Sequence, residues 1–137
     1  MRLFFDSSAF VKRYIREPGS DSVIDWSERA QEIVLSAVAV PEIVSAFCRL
    51  RRENKITDIQ YRQLKSALMA DIEDVALCDL TPAVLAQAVI QLENHTLRGM
   101  DAIHIASAVV LKVDVFLSAD QAQCVAARGA GLRVEVV

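Results

Sequence analysis

The sequence has few of the residues that build the commonest chemical sites. Its 137 residues include three cysteines, two histidines and four glycines. The cysteines are odd in number, widely spaced and surrounded by apolar residues, which favours buried free thiols over disulfides or a zinc site. Two histidines do not change that interpretation. No glycine-rich phosphate loop, internal repeat or low-complexity segment is present, so the chemistry must rest on other residue types.

Long apolar runs are also missing. The longest, such as IASAVVL, fall well short of the roughly 20 residues that a membrane helix needs, and Asp6 stands where a signal peptide would have its apolar centre. We therefore expect a soluble, cytoplasmic protein with no membrane partner, folded as one domain over residues 1–137. Its 53% hydrophobic residues and mean hydropathy of +0.30 predict a chain that is not a monomer, with a homodimer as the expected state.

The periodicity of the apolar residues predicts strands that alternate with one or two helices. Strands separated by helices need crossover connections, which favours an α/β fold with a mainly parallel sheet and helices on both faces. The predicted strands are Arg2–Asp6, Ile33–Leu35, Val75–Leu80, Val113–Ala119 and Arg133–Val137. The predicted helices begin at Ser7, Ser20 or Asp21, Pro41, Thr57, Pro82, Asp101 and Asp120, and the first of them runs to about Glu17.

Four acidic residues stand beside apolar segments where predicted strands end or helices begin. A carboxylate in such a setting is costly unless it is paired, hydrogen-bonded or bound to a metal. A cluster of carboxylate oxygens suits a hard divalent cation, and Mg²⁺ or Mn²⁺ held this way is common in phosphoryl chemistry. The contexts are RLFFDSSAFVKRY around Asp6, SAVAVPEIVSAF around Glu42, RGMDAIHIASA around Asp101 and VFLSADQAQ around Asp120.

Each of these acids also has a simpler interpretation. Asp6, Asp101 and Asp120 are, singly, typical helix caps, and Glu42 is common in a first helical turn because the helix dipole favours negative charge there. In parallel sheets, however, ligands bind beyond the carboxyl ends of the strands, and all four acids can meet at that edge. The combination therefore favours a shared metal site over four independent caps.

Three further residues stand near these acids. The hydroxyl groups of Ser118 and Ser8 could contact a metal or its bound water, although an ordinary loop hydroxyl is nearly as good an interpretation. His104 is three residues after Asp101 and could share its helix face. A lone histidine in an apolar helix is more often a core residue, so the predicted catalytic set omits it.

The overall charge gives no excess of basic residues, since 15 lysines and arginines face 18 acids. If metal neutralises the four clustered acids, 14 remain against 15 bases, and local patches then matter more than the total. The basic residues on two predicted helices could contact phosphates, but a solvated helix face explains them equally well. The candidates for RNA contact are Lys12, Arg13 and Arg16 on the first helix and Arg49, Arg51, Arg52 and Lys55 on the third.

The four motifs, in this order and spacing, resemble those of the PIN-domain nucleases, and DAIHIASA is the most specific of them. The resemblance spans nearly the whole chain, and its length is similar to that of VapC-type toxins of toxin–antitoxin systems. It implies an α/β/α sandwich, Mg²⁺- or Mn²⁺-dependent cleavage of RNA, homodimerisation and inhibition by a VapB-like antitoxin. Asp6 and Asp101 would be direct metal ligands, and Glu42 and Asp120 would complete the site directly or through water.

Two other classes of function remain open. One is a regulatory or RNA-binding module that uses a PIN-like fold without catalysis, and the presence of all four acids argues against it. The other is a phosphohydrolase that attacks small phosphate esters through Asp6. Residues 6 to 8 are Asp-Ser-Ser, without the second aspartate of an Asp-x-Asp pair, which argues against this class.

Overall fold

The centre of the molecule is a sheet of five parallel strands, described by a computed structural model that covers all 137 residues. The strand order is β3-β2-β1-β4-β5, so the first strand lies in the middle. The strands are β1 (Arg2–Phe5), β2 (Glu32–Ser36), β3 (Ala76–Cys78), β4 (Val115–Ser118) and β5 (Val134–Val136). The prediction of a mainly parallel sheet is confirmed.

Seven helices cover both faces of this sheet, which confirms the predicted three-layer α/β/α sandwich. Helices α1 to α4 pack on one face and α5 to α7 on the other. The helices are α1 (Ser7–Phe10), α2 (Ser20–Arg29), α3 (Ala39–Arg52), α4 (Asp58–Ile72), α5 (Pro82–Asn94), α6 (Gly99–Leu111) and α7 (Gln121–Gly129). None of them is both long and apolar enough to cross a membrane.

The central strands are apolar at their inner positions, Leu3–Phe5, Ile33–Leu35 and Val115–Leu117, because both faces of the sheet are covered. Leu3 and Phe5 of β1 point into the core beneath α1 to α4, whereas Phe4 points into the core beneath α6 and α7. There the ring of Phe4 stacks on Phe116 of β4, with 5.5 Å between the ring centroids. Continuous apolar sequence therefore predicts these buried strands correctly.

The first helix is shorter than the sequence predicts. It ends at Phe10 and continues as a single 3₁₀ turn over Val11–Arg13, so the expected extension to about Glu17 is wrong. Two physical reasons account for the early end. Pro18 disfavours a helical conformation in the residue before it, and the hydroxyl of Tyr14 turns inward to donate a 2.6 Å hydrogen bond to Asp71 of α4.

The register of the sheet brings two residues that are distant in sequence side by side where strands β1 and β4 end. Phe5 of β1 lies opposite Leu117 of β4. The residues that follow, Asp6 and Ser118, therefore leave the sheet side by side. The backbone N–H of Asp6 donates to the carbonyl oxygen of Leu117 at 3.1 Å, which extends the pairing by one bond.

Candidate active site

All four predicted acids lie beyond the carboxyl ends of the parallel strands, which we call the carboxyl edge of the sheet. Each acid is at the amino end of a helix. Asp6 and Asp120 immediately precede α1 and α7, whereas Glu42 and Asp101 lie in the first turns of α3 and α6. Unpaired N–H groups and the helix dipole make each of these positions favourable for a negative charge. The parallel sheet thus delivers the acids to one edge, as the sequence predicts.

Asp6 is fully buried and is held only by neutral donors. Its Oδ1 accepts hydrogen bonds from the Ser8 hydroxyl at 2.7 Å and from the Ala9 backbone N–H at 2.9 Å. Its Oδ2 accepts from the Ser118 hydroxyl at 2.5 Å. Burial raises the pKa of Asp6 above its ordinary value, and these hydrogen bonds together with the nearby imidazole of His104 only partly oppose the shift.

Glu42 is held by two side chains that both contact the same oxygen. The Ser7 hydroxyl donates to Oε1 at 2.7 Å, and the Nε2 group of His104 donates to it at 2.6 Å. Partial burial acts to raise the pKa of Glu42, but these hydrogen bonds outweigh it and keep the pKa below its ordinary value. The second oxygen, Oε2, makes no hydrogen bond within the protein and is available to a ligand.

His104, which the predicted catalytic set omits, contacts one of the four acids. It is buried, as the core interpretation requires, and its ring packs edge-on to Phe4 at 6.2 Å. Its Nε2, however, faces Glu42, and its buried Nδ1 has no hydrogen-bond partner. The spacing to Asp101 on one helix was a signal for this role, but only the fold shows that α3 supplies the partner.

Asp101 and Asp120 are joined through one residue of α7. The side-chain Nε2 of Gln123 donates to Asp101 Oδ1 at 3.1 Å, and its backbone N–H donates to Asp120 Oδ1 at 2.9 Å. The second contact makes Asp120 the cap of α7, just as Asp6 caps α1. Asp101 caps nothing, because the cap position of α6 is Arg98. The helix-cap interpretation is therefore correct for two acids and wrong for Asp101.

Ser118 links Asp6 to Asp120, and a cavity links Glu42 to Asp101. The Ser118 hydroxyl, which donates to Asp6, also accepts from the backbone N–H of Asp120 at 3.0 Å. Glu42 and Asp101 line one cavity of about 580 Å³. Its remaining wall is largely apolar and comes mainly from α5 and the start of α6: Leu85, Ala88, Val89, Leu92, Met100 and Ile103.

The donor chemistry of this edge suits a hard divalent cation. Four carboxylates gather there, and the only lysine or arginine that contacts any of them is Arg98, whose Nε is 3.5 Å from Asp101 Oδ2. No three acidic, histidine or cysteine side chains converge on one point as a ready-made cage. Serine, histidine and glutamine side chains instead form hydrogen bonds to the acids. The residues fit a divalent cation by charge and ligand type.

The seven basic residues predicted for RNA contact fall into two groups, five that pair within the protein and two that do not. Arg16, Arg51 and Lys55 form ion pairs with Asp21, Asp58 and Glu53. The ammonium group of Lys12 donates to the carbonyl oxygens of Pro18 and Val137, and Arg13 is paired with Asp71, so both serve the fold. Arg49 and Arg52 are exposed on α3, the helix that carries Glu42, and neither forms an ion pair. Only the second group is free to meet a phosphate backbone.

Sequence and structural comparisons place the chain among known proteins. The family model described as "PIN domain" matches residues 3–129. Over 113 residues the chain is 30% identical to ribonuclease VapC45 of Mycobacterium tuberculosis, and the alignment covers 80% of this chain and 76% of that protein.

Solved structures with low sequence identity share the fold. VapC20 of M. tuberculosis, described as a sarcin–ricin loop cleaving toxin, superposes with a TM-score of 0.68 at 15% identity, covering 90% of this chain and 94% of that one. A chain of a toxin–antitoxin complex from Klebsiella pneumoniae superposes with a TM-score of 0.66 at 9% identity, covering 86% of each chain.

Proposed function

This chain belongs to the PIN-domain family, and from that premise we propose that it is a divalent-metal-dependent endoribonuclease, the toxin of a toxin–antitoxin pair that acts on RNA in the cytoplasm. The observation that carries the proposal is the gathering of Asp6, Glu42, Asp101 and Asp120 at one edge with a single arginine in contact. A ribonuclease relative over most of the chain supports RNA as the substrate.

The acids would hold Mg²⁺ or Mn²⁺, with Asp6 and Asp101 as direct ligands and Glu42 and Asp120 as direct or water-mediated ones. A bound cation would activate a water molecule and stabilise the charge that develops on the phosphoryl oxygens. The protein's own part is to orient these oxygens. Ser8 and Ser118 fix both oxygens of Asp6, and Ser7 and His104 fix Oε1 of Glu42 and leave Oε2 without a hydrogen bond within the protein.

The RNA strand would approach along α3. Arg49 follows Glu42 by seven residues, a spacing that returns to nearly the same face of a helix. Arg52 follows Arg49 by three residues, so the two arginine side chains are neighbours on the helix surface. Their guanidinium groups can bind phosphates without giving up an ion pair within the protein. Phosphate contacts of this kind place a strand without reading its sequence, so they define affinity and not the cleavage site.

We also propose two protein partners. A VapB-like antitoxin is expected because a similar fold occurs in a toxin–antitoxin complex. A homodimer is expected because α5 leaves several large apolar side chains exposed, namely Leu85, Val89, Ile90 and Leu92. Sedimentation of the parent and of a Val89→Asp variant tests the dimer: the parent should sediment as a dimer and the variant as a monomer. A monomeric parent at micromolar concentration contradicts it.

Cleavage of labelled RNA with Mg²⁺, Mn²⁺ or EDTA tests the enzymatic proposal. Asp6→Asn and Asp101→Asn should each reduce cleavage by at least a hundredfold, because each removes a ligand charge while leaving the side-chain volume unchanged. Asp74→Asn is the matched control, since that acid is exposed at the end of α4. Cleavage that persists in EDTA rules out the metal, and full activity of both site variants rules out the assigned ligands.

The same assay separates the two other classes. A binding module would retain RNA affinity and cleave nothing, whereas a phosphohydrolase would release phosphate from a small ester such as p-nitrophenyl phosphate. The sequence disfavours the second class because residues 6 to 8 are Asp-Ser-Ser and lack the second aspartate of an Asp-x-Asp pair.

A further inference from the structure

Gln123 is a buried amide on an otherwise apolar helix face. It lies in the first turn of α7, and Ala126 and Ala127, three and four residues later, are buried on the same side. Only 5% of Gln123 is exposed. Burying an amide on such a face requires hydrogen-bond partners, and only one of its two polar groups has one.

The contacts of the amide are unequal. Its Nε2 donates to Asp101, whereas its Oε1 is buried without a partner. The opposite orientation of the amide would turn its oxygen toward a carboxylate, which only accepts, so the observed orientation is the favourable one. The side chain thus contacts the acid but leaves one oxygen unpaired, and an apolar residue would avoid the desolvation cost of that oxygen.

No other buried group holds Asp101. Arg98 is 3.5 Å from its Oδ2, but the arginine side chain is 85% exposed, so solvent weakens and loosens that contact. Gln123 also donates its backbone N–H to Asp120, which places one residue between two proposed ligands.

We propose that Gln123 is a positioning residue that fixes the Asp101 carboxylate relative to Asp120 and so sets the geometry in which these two acids bind a divalent cation. The inference rests on the proposed function, because it assumes that the acids hold a metal. It assigns α7 a second role beyond supplying Asp120, since the helix also orients an acid of α6.

The test compares two glutamines in the same chain. Gln91 on α5 is also 5% exposed, donates its Nε2 to a side-chain oxygen and leaves its Oε1 unpaired, but its partner is Gln87 and not an acid. Methionine matches glutamine in length and lacks the N–H donor. Binding of Mn²⁺ in the absence of RNA, measured by calorimetry, and melting temperature in EDTA are compared for the parent, Gln123→Met and Gln91→Met.

We expect Gln123→Met to bind Mn²⁺ about tenfold or more weakly than the parent, which is the usual effect of removing a group that orients a metal ligand. Gln91→Met should bind Mn²⁺ as the parent does. Equal Mn²⁺ affinity in Gln123→Met and the parent overturns the inference while leaving the metal site intact. A parent that binds no Mn²⁺ overturns the proposed metal site and, with it, this inference.

Discussion

The two edges of the sheet treat charge in opposite ways. At the amino edge, opposite charges meet near the surface, where Arg2 pairs with Glu32 at 2.5 Å. The terminal ammonium group there donates a hydrogen bond to the neutral side chain of Gln31. At the carboxyl edge, four acids gather with one exposed arginine in contact, and Asp6 is fully buried. The same parallel sheet supports both arrangements.

The difference shows where the fold carries an electrostatic cost. The exposed ion pair at the amino edge contributes little to stability, and its two charges balance each other. At the carboxyl edge, hydroxyl and amide groups satisfy the acids as hydrogen-bond acceptors but supply no positive charge, and burial still raises the pKa of Asp6. A ligand that brings positive charge would balance this edge.

The largest expected effect comes from supplying that charge. Mn²⁺ at 100 times its dissociation constant should stabilise the parent by about 2.7 kcal/mol, because it binds the folded state. Asp101→Asn should respond much less. In EDTA this variant should melt no lower than the parent, because Asp101 caps no helix and an asparagine oxygen can still accept from Gln123. The melting temperatures of the parent and of Asp101→Asn, each measured with Mn²⁺ and with EDTA, test this prediction. An equal response of the two proteins to Mn²⁺ would show that Asp101 is no ligand.

A second effect distinguishes two acids within the carboxyl edge by pH. In EDTA, the raised pKa of Asp6 means that its contribution to stability is present at low pH and is lost as pH rises through the folded-state pKa. Asp6→Asn should therefore become progressively more stable than the parent as pH rises. Asparagine keeps the cap of α1, so capping does not complicate the comparison.

Glu42 should show the opposite dependence. Its lowered pKa means that its contribution is present above the unfolded-state value and is lost as pH falls through the folded-state pKa. Glu42→Gln should be less stable than the parent at neutral pH, and the difference should disappear in acid. Urea unfolding from acid to neutral pH measures both variants. The same sign for both acids would contradict the different environments described for them.

A smaller effect concerns the unpaired arginines on α3. Replacing Arg49 and Arg52 with glutamine should weaken binding of single-stranded RNA and lower the slope of log affinity against log salt by about 0.7 for each phosphate that the protein no longer neutralises. Cleavage-deficient Asp101→Asn serves as the background for these titrations. Arg13→Gln is the control, because Arg13 is already paired with Asp71. An unchanged salt slope would remove α3 from the RNA path.

The smallest effect is expected at the amino edge. Glu32→Gln removes an exposed ion pair and should cost less than about 1 kcal/mol. Arg2 keeps its hydrogen bond to the carbonyl oxygen of Leu111, which limits the destabilisation further. Urea unfolding at two salt concentrations measures it. A destabilisation as large as the Mn²⁺ effect would mean that the two edges do not differ as described.

The order of the elements and the acidic edge could be predicted because each depends on local sequence. Apolar runs such as that of β1 mark buried strands, and an acid at the end of a strand in a parallel sheet must reach the carboxyl edge. Element ends were less predictable: β3 is only Ala76–Cys78, and the first helix ends early because Tyr14 bonds to a distant helix.

The residues that hold the acids could not be predicted in the same way, because their contacts join separate elements. His104 and Glu42 are 62 residues apart, and Gln123 and Asp101 are 22 apart. Helical spacing places Gln123 on the buried face of α7 with Ala126, which is an unusual position for a polar side chain. No local sequence pattern, however, identifies the residue that Gln123 contacts. Such contacts depend on how helices pack and on side-chain rotamers.

The central position of β1 also determines when the site can form during synthesis. Asp6 leaves the ribosome early, but its strand cannot pair with β4 until Val115–Ser118 have been made, and the hydroxyl that fixes Asp6 Oδ2 arrives with them. Parallel pairings between distant segments form slowly because a long loop must close first. A nascent chain that has not yet passed Asp120 therefore lacks both the Ser118 hydroxyl and one of the four acids, and cannot form the complete acidic edge.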